Sequence, residues 1–496
     1  MNNHAVPHGV GAKLPIGLFI LLTETIFLTF LGSAGIEFVL SSLIVTIALL
    51  LQLRFGIRSD SPAPADIVVF IFNWLFLDLA PKIQLLSMPS RLVNTSPVSV
   101  DNVAMTNFAC GLFIVTFTFC YAFIGRRAPA PAAVAAAPSG GDDSASPREP
   151  LSAFGVALAV LSCVVVVAAA APAAYASVDA PTTSPAVLVM KRFLLFLPSA
   201  TLLILVNETV GSGRKLLFSR VCVLLLLLVL VLITENPYTE KRNALGPLYL
   251  CLILTALQHW LGSQNRRMIL LVAGMVLVFP AISVFTHNHH QSLSGIEWSE
   301  FGNRIEQYYF SINYDAWANI YTAVEIVKAH GVQWGHQLAG SLLFFVPSSL
   351  WTSKPLATGI YLANYLISHY SMWFTNLSAP LVAEGYLDFG LVGVVLYGAA
   401  TAGMVVLFNG VARRAANWMS LPMALYASLF LMFLLRGSLM VALGFASATF
   451  LSFWFAFALL SVGRRVRVPG PTTYGLPAGS MPAVPVPGIH GRSMVR

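Results

Sequence analysis

Apolar segments close to the ~20-residue length of a bilayer-spanning helix recur along this chain, and that recurrence leaves few folds open to it. Inside lipid every backbone N–H and C=O must find its partner within the protein, so segments of this length must be α-helices. By hydropathy the spans run roughly over 15–32, 36–53, 66–86, 102–124, 151–174, 193–207, 216–234, 245–262, 268–286, 388–408, 420–435 and 438–462, about twelve in all. Composition agrees, since 57% of the residues are hydrophobic, 10% are charged and the mean hydropathy is +0.78. A soluble domain carries roughly 25% charged residues. The expected class is an all-α polytopic membrane protein.

Lys and Arg choose the orientation. Arg54 and Arg58, Arg126, Arg127 and Arg148, Arg214, Lys215 and Arg220, Arg266 and Arg267, Arg413 and Arg414, and Arg464, Arg465 and Arg467 all fall in alternate loops. The positive-inside rule makes that side cytoplasmic, with both termini in the cytosol. The net charge of +8 then reflects topology, and without a basic soluble domain or a recognition motif no nucleic-acid partner is expected. All five cysteines (Cys110, Cys120, Cys163, Cys222, Cys251) lie inside expected spans, so they offer neither a disulfide framework nor a zinc spacing. They read as small apolar packing residues. The first apolar run lacks a small-residue cleavage site and reads as a retained span.

The chain divides into spans one to four (1–124), a linker (125–150), spans five to nine (151–286), a long loop (287–387), the last three spans (388–463) and a tail (464–496). Linker and tail are rich in Pro, Ala and Gly and poor in aromatics, and are expected to be disordered and cytoplasmic. Neither a fixed-period repeat nor an inverted pair of broken helices is visible. The loop 287–387 lies on the non-cytoplasmic side and holds six of the ten histidines. Within it, Ile305, Tyr308, Tyr309, Ile312, Ala316, Ile320, Ala323 and Val327 recur at helical spacing, which predicts an amphipathic helix over 305–330 lying along the membrane surface. The four residues HNHH at 287–290 read as a polar turn, because their spacing lacks the pattern of a zinc site. No metal or cofactor is expected.

Residues 345–359, FVPSSLWTSKPLATG, open like a span and then fail to be one, since Pro347, Lys354, Pro355 and Gly359 break it. A re-entrant or surface-lying segment is expected, with Trp351 at the interface and Lys354 facing an anionic head group. Other non-cytoplasmic cations near span ends are Arg192, Arg304 and Arg242, the last following the Asn236-Pro237 turn. Glu24, Glu37 and Asp78 stand within or beside spans, where charge is costly and typically functional. Helix packing against a Ser, Thr or Asn neighbour and the lining of a substrate lumen are both open readings for them.

Three pieces, NPYTEKR (236–242), YDAWANIYTAVEIVKAHGVQWGHQLAGSLLFFVPSSLWTSKPLATG (314–359) and NLSAPLVAEGYLDFGLVG (376–393), give the second half of the chain a family likeness. In order and spacing it resembles the Wzy-type oligosaccharide repeat-unit polymerases, which are related to the O-antigen ligases. Ser348 stands where that family commonly has Arg, which leaves Lys354 as the only cation of its segment. The resemblance implies a GT-C-like bundle in the bacterial inner membrane. It implies that undecaprenyl-pyrophosphate-linked oligosaccharides, as donor and acceptor, are joined on the periplasmic face into O-antigen, capsule or exopolysaccharide. It also implies a chain-length regulator as partner. Such a donor is already activated, so the enzyme must stabilise the leaving pyrophosphate and deprotonate an acceptor hydroxyl. Arg242 and Arg304, supported by Lys354 and Arg192, are the expected phosphate ligands. Asp315, Glu384, His336 and His369 are the candidate bases, and Trp351, Tyr314 and Trp317 the expected glycan contacts. The alternatives are a ligase with the same donor and a different acceptor, and a flippase, which would need charges along a central cavity.

Overall fold

The computed structural model describes residues 13–31, 36–58, 61–127, 150–176, 185–213, 217–237, 242–278, 309–414 and 416–463. Among these, regular structure is helical, with one isolated bridge between Arg91 and Pro97. The first ten helices are α1 (Lys13–Leu31), α2 (Ile36–Leu51), α3 (Ala65–Trp74), α4 (Ala80–Ser87), α5 (Val100–Arg127), α6 (Ala153–Ala176), α7 (Pro185–Gly211), α8 (Phe218–Thr234), α9 (Arg242–Ala256) and α10 (Gln264–Ala273). The remainder are α11 (Ala316–His330), α12 (His336–Leu342), α13 (Thr358–Tyr370), α14 (Leu381–Arg414), α15 (Ser420–Arg436) and α16 (Leu439–Ser461).

Six of them, α1, α2, α5, α7, α14 and α16, are long and apolar enough to cross a membrane, and α6, α8, α9 and α15 are shorter apolar helices beside them. The chain is therefore a multi-pass helical membrane protein. Its outward faces carry large apolar side chains such as Phe30, Phe119 and Phe218, the arrangement expected where hydrocarbon rather than water is the solvent. Inside the bundle α5 packs between α2 and α14, α16 lies along α7, and α15 touches α3, α9 and α14.

Two departures from regular helix position the functional groups. Helices α3 and α4 are joined without a break through a π-helical turn, Leu75–Leu79, so Ala65–Ser87 is one element whose middle is widened. Such turns shift the register of the side chains that follow and are often found where function needs it. Helix α14 is interrupted at Phe389 (φ −140°) and Gly390 (φ +62°), so residues 381–388 turn back against residues 391–414. The reversal needs glycines on both sides, because a Cβ on Gly393 would stand 1.8 Å from the carbonyl oxygen of Gly385.

Residues 309–380 gather at one end of the bundle, called the loop end here. The expectation of a surface-lying amphipathic helix over 305–330 is corrected in the described part. The helix starts at Ala316, and Ala316 through Val324 are all buried. The reason is polar: Asn94 Nδ2 donates to Ala318 O at 2.9 Å, to Asn319 Oδ1 at 3.0 Å and to Thr322 Oγ1 at 2.9 Å. Those bonds let the polar side of α11 be covered by protein. The segment after α12 does lie on the surface, with Phe345 and Leu350 exposed.

Candidate functional site

Asp315 stands at the N-cap of α11, after the short 3₁₀ turn Ile312–Tyr314. Its carboxylate is buried and fully engaged. Oδ1 accepts from Ser378 Oγ at 2.6 Å and from Arg436 Nη2 at 3.2 Å, while Oδ2 accepts from Asn319 Nδ2 at 2.8 Å and from Ser378 N at 3.2 Å. An ionised carboxylate has about four lone-pair sites, and here each has a donor. The arrangement suits a fixed negative charge that aims Arg436.

Arg436 is the last residue of α15, where the chain turns through Gly437 and Ser438 into α16. Its Nη2 also donates to Ile312 O at 3.1 Å, and its guanidinium lies over the Phe76 ring at 5.7 Å. The side chain remains 27% exposed, so the cation is held by one edge and open on part of the rest. This geometry can receive an anion, because a guanidinium offers five donors and, among the described residues, it is Nη2 that bonds to the protein while Nε is buried.

The same corner holds Glu384, fully buried in the first turn of α14. Its Oε1 accepts from the backbone N–H of Leu439, the first residue of α16, at 2.8 Å. The Ser438 and Thr358 hydroxyls lie beside the same carboxylate. A carboxylate against a helix N-terminus is favoured by the exposed N–H groups and the helix dipole. Asp388 does the same for α12, accepting from Gln337 N and Leu338 N, both at 3.0 Å, and from the Tyr397 hydroxyl at 3.3 Å.

His336, the first residue of α12, meets Trp351 and Lys354 of the segment that follows the helix. His336 Nε2 lies 3.0 Å from Ser353 O, and its ring meets the Trp351 ring edge-on at 6.3 Å. Trp351 Nε1 donates to Ser353 Oγ at 2.9 Å. Lys354 turns inward and donates to Phe344 O at 2.7 Å and Val346 O at 2.8 Å. Two of its three donors thereby cap carbonyls that accept no backbone N–H among the described residues.

The other expected site residues are dispersed. Arg192, in α7, pairs with Glu235 at 2.6 Å and lies over the rings of Phe196 (5.1 Å) and Phe445 (5.6 Å). Tyr314 is buried between Phe76 at 4.9 Å and Tyr309 at 4.7 Å, and buried Trp317 donates to Asn107 Oδ1 at 2.9 Å. These two rings pack the base of the loop end. His369 is exposed and stacks on Tyr365 at 4.2 Å, where burial first, and then Glu325, push the Tyr365 phenol up to about 12. Arg242 is the first residue of α9, but its side chain lies outside the described residues, as do Arg304 and HNHH 287–290.

An apolar groove of about 480 Å³ opens along α7 and α16, lined by Phe193, Phe344, Phe345, Leu451, Trp454 and Phe455 among others. Phe193 follows Arg192 in the chain, and Phe344 is the residue whose carbonyl Lys354 caps. The groove can hold a hydrocarbon chain, with cations beside its wall.

Sequence reasoning missed Arg436 and its holders Ser378 and Asn319. A signal was present: Arg436 falls between the last two expected spans, on the side opposite the loops that hold paired basic residues, where Arg192, Arg242 and Arg304 also fall. Comparison of the chain with protein-family models, with curated proteins and with solved structures finds no match. Fold and site define the class of multi-pass helical membrane proteins with a charged cluster at one end.

Proposed function

We propose that the chain is a glycosyltransferase that joins undecaprenyl-pyrophosphate-linked repeat units into a bacterial surface polysaccharide. On this reading it has about twelve spans in a GT-C-like bundle in the inner membrane, both termini are cytoplasmic, and the loop end faces the periplasm. The observation that carries the reading is Arg436, held by Asp315 and left 27% exposed at the loop end of a membrane bundle. The groove along α7 and α16 supports it, since a polyprenyl tail must stay in hydrocarbon while its pyrophosphate reaches a cation.

In the reaction, the bond between the anomeric carbon of the donor and the pyrophosphate oxygen breaks as an acceptor hydroxyl attacks that carbon. Arg436 takes up the growing negative charge on the pyrophosphate, and Arg242 and Arg304 are its expected helpers. Glu384, buried in the same corner, and His336, exposed at the start of α12, are the candidates for the hydroxyl proton. The O-antigen ligase reaction shares every step except the acceptor.

The test is polymer formation in a strain lacking this gene, complemented with wild type or Arg436→Ala at matched membrane levels and read as a glycan ladder. Single repeat units accumulating on their lipid carrier in the periplasm support the polymerase reading. Units retained on the cytoplasmic side would mean a flippase. A ladder that forms normally but stays on its carrier would mean a ligase.

A further inference from the structure

Away from the loop end, three charged side chains meet within the bundle. Glu24 lies midway along α1, Asp78 in the π-helical turn Leu75–Leu79 and Lys82 in α4. All three are buried. Lys82 Nζ lies 2.5 Å from Glu24 Oε2, 2.5 Å from Asp78 Oδ1 and 3.0 Å from Thr46 Oγ1, so all three ammonium donors are used. Glu24 is satisfied at both oxygens, by the Ser42 hydroxyl at 2.7 Å on Oε1 and the Thr46 hydroxyl at 3.0 Å on Oε2. Asp78 Oδ2 is buried and has no hydrogen-bond partner among the described residues.

Two carboxylates and one ammonium leave one negative charge. In hydrocarbon an uncompensated charge costs several kcal/mol or more. Among the described residues the groups facing the cluster from neighbouring helices supply no cation: Ser42 and Thr46 from α2, Asn107 and Cys110 from α5, Phe27 from α1 and Trp317 from α11. Beside Asp78, Asn107 and Trp317 is a void of about 10 Å³, the volume of about one water. A metal ion would need five or six oxygen ligands, which this void does not provide.

We propose that this cluster is a proton-binding site: one proton resides on Asp78 Oδ2 and exchanges with the loop end through the water-sized void under Trp317. The balance is simple. Asp78 carries the proton as a neutral carboxylic acid, Glu24 and Lys82 form the ion pair, and the O–H donates into the void. Asp78 and Lys82, four residues apart, share the helix face that meets Glu24.

The experiment is infrared spectroscopy of the full chain in lipid nanodiscs at neutral pH, in H₂O and D₂O, using carboxyl-labelled (carbon-13) aspartate in one sample. Wild type is expected to show a protonated-carboxyl band that shifts with D₂O and with labelled aspartate. Asp78→Asn removes this band. Glu24→Gln also removes it, because Asp78 then ionises to pair with Lys82. Lys82→Met doubles the protonated-carboxyl signal. A wild-type band that ignores labelled aspartate, or an amplitude unchanged in all three variants, overturns the proposal. So does a band that disappears when sodium replaces choline, which would make the site one for a metal cation. Labelled aspartate also reports the buried Asp66, Asp315 and Asp388, so the assignment rests on Asp78→Asn together with Asp78→Glu, a variant that keeps the carboxyl and should return a band that D₂O shifts and labelled aspartate does not; a labelled band that persists unchanged in both overturns the proposal.

Discussion

Asp315–Arg436 and Arg192–Glu235 are both arginine–carboxylate pairs between separate elements, yet their surroundings differ. Arg192 is 12% exposed and Glu235 not at all, with Phe196 and Phe445 on the guanidinium. Arg436 is 27% exposed and has a single ring beneath it. A pair closed off from solvent by surrounding rings can hold helices together but offers no open face to a ligand. A pair with one open edge keeps donors for a ligand while its carboxylate keeps them aimed.

The largest effect that would separate the two pairs is on turnover. Arg436→Ala should cut polymer formation by about 100- to 1,000-fold, the usual cost of losing a donor to developing negative charge. Arg436→Lys should recover part of it, because charge returns without the fork. Near-normal glycan ladders from both variants would put Arg436 in the same structural role as Arg192.

Next in size is stability. Arg192→Leu or Glu235→Gln should each lower unfolding free energy by about 3–5 kcal/mol, because each strands a buried charge or its partner. The double variant Arg192→Met with Glu235→Leu should regain most of that loss. Thermal unfolding in detergent reads both, and turnover per folded molecule should stay close to wild type.

Lys354→Met tests a cation that is exposed in sequence and committed in structure. Removing its two carbonyl contacts should cost about 1–3 kcal/mol, felt locally as faster proteolysis within 343–357. Loss of polymer without faster cleavage would instead give Lys354 a role at the phosphates. The smallest effect expected is from Ser378→Ala, which removes the 2.6 Å donor to Asp315. It should lower turnover up to about tenfold, in line with ~0.5–1.5 kcal/mol for one hydrogen bond, with little change in melting temperature.

Much of the scaffold was legible because lipid imposes a length on helices, and apolar runs show that length directly. The expected spans over 102–124 and 438–462 lie within or on α5 and α16, and 193–207 lies inside the longer α7, which runs through Pro198. Less legible was the loop end. Helical spacing in 305–330 suggested one wet face, but the polar residues Asn319 and Thr322 found Asn94, some 225 residues away. The candidate site was legible by residue type and illegible by partner. Asp315 and Glu384 stood out as carboxylates, yet nothing local shows that one holds Arg436 and the other rests on the first N–H of α16.

By itself, then, the sequence determined a helical, membrane-spanning chain with its cations sorted between loops, because hydropathy and charge act within a single segment. Only the tertiary structure decided which charges are spent on one another. Glu24 with Lys82, Arg192 with Glu235 and Asp315 with Arg436 are pairings between separate elements. Their energies depend on burial and on distances of a few ångströms, which segment-level patterns do not contain.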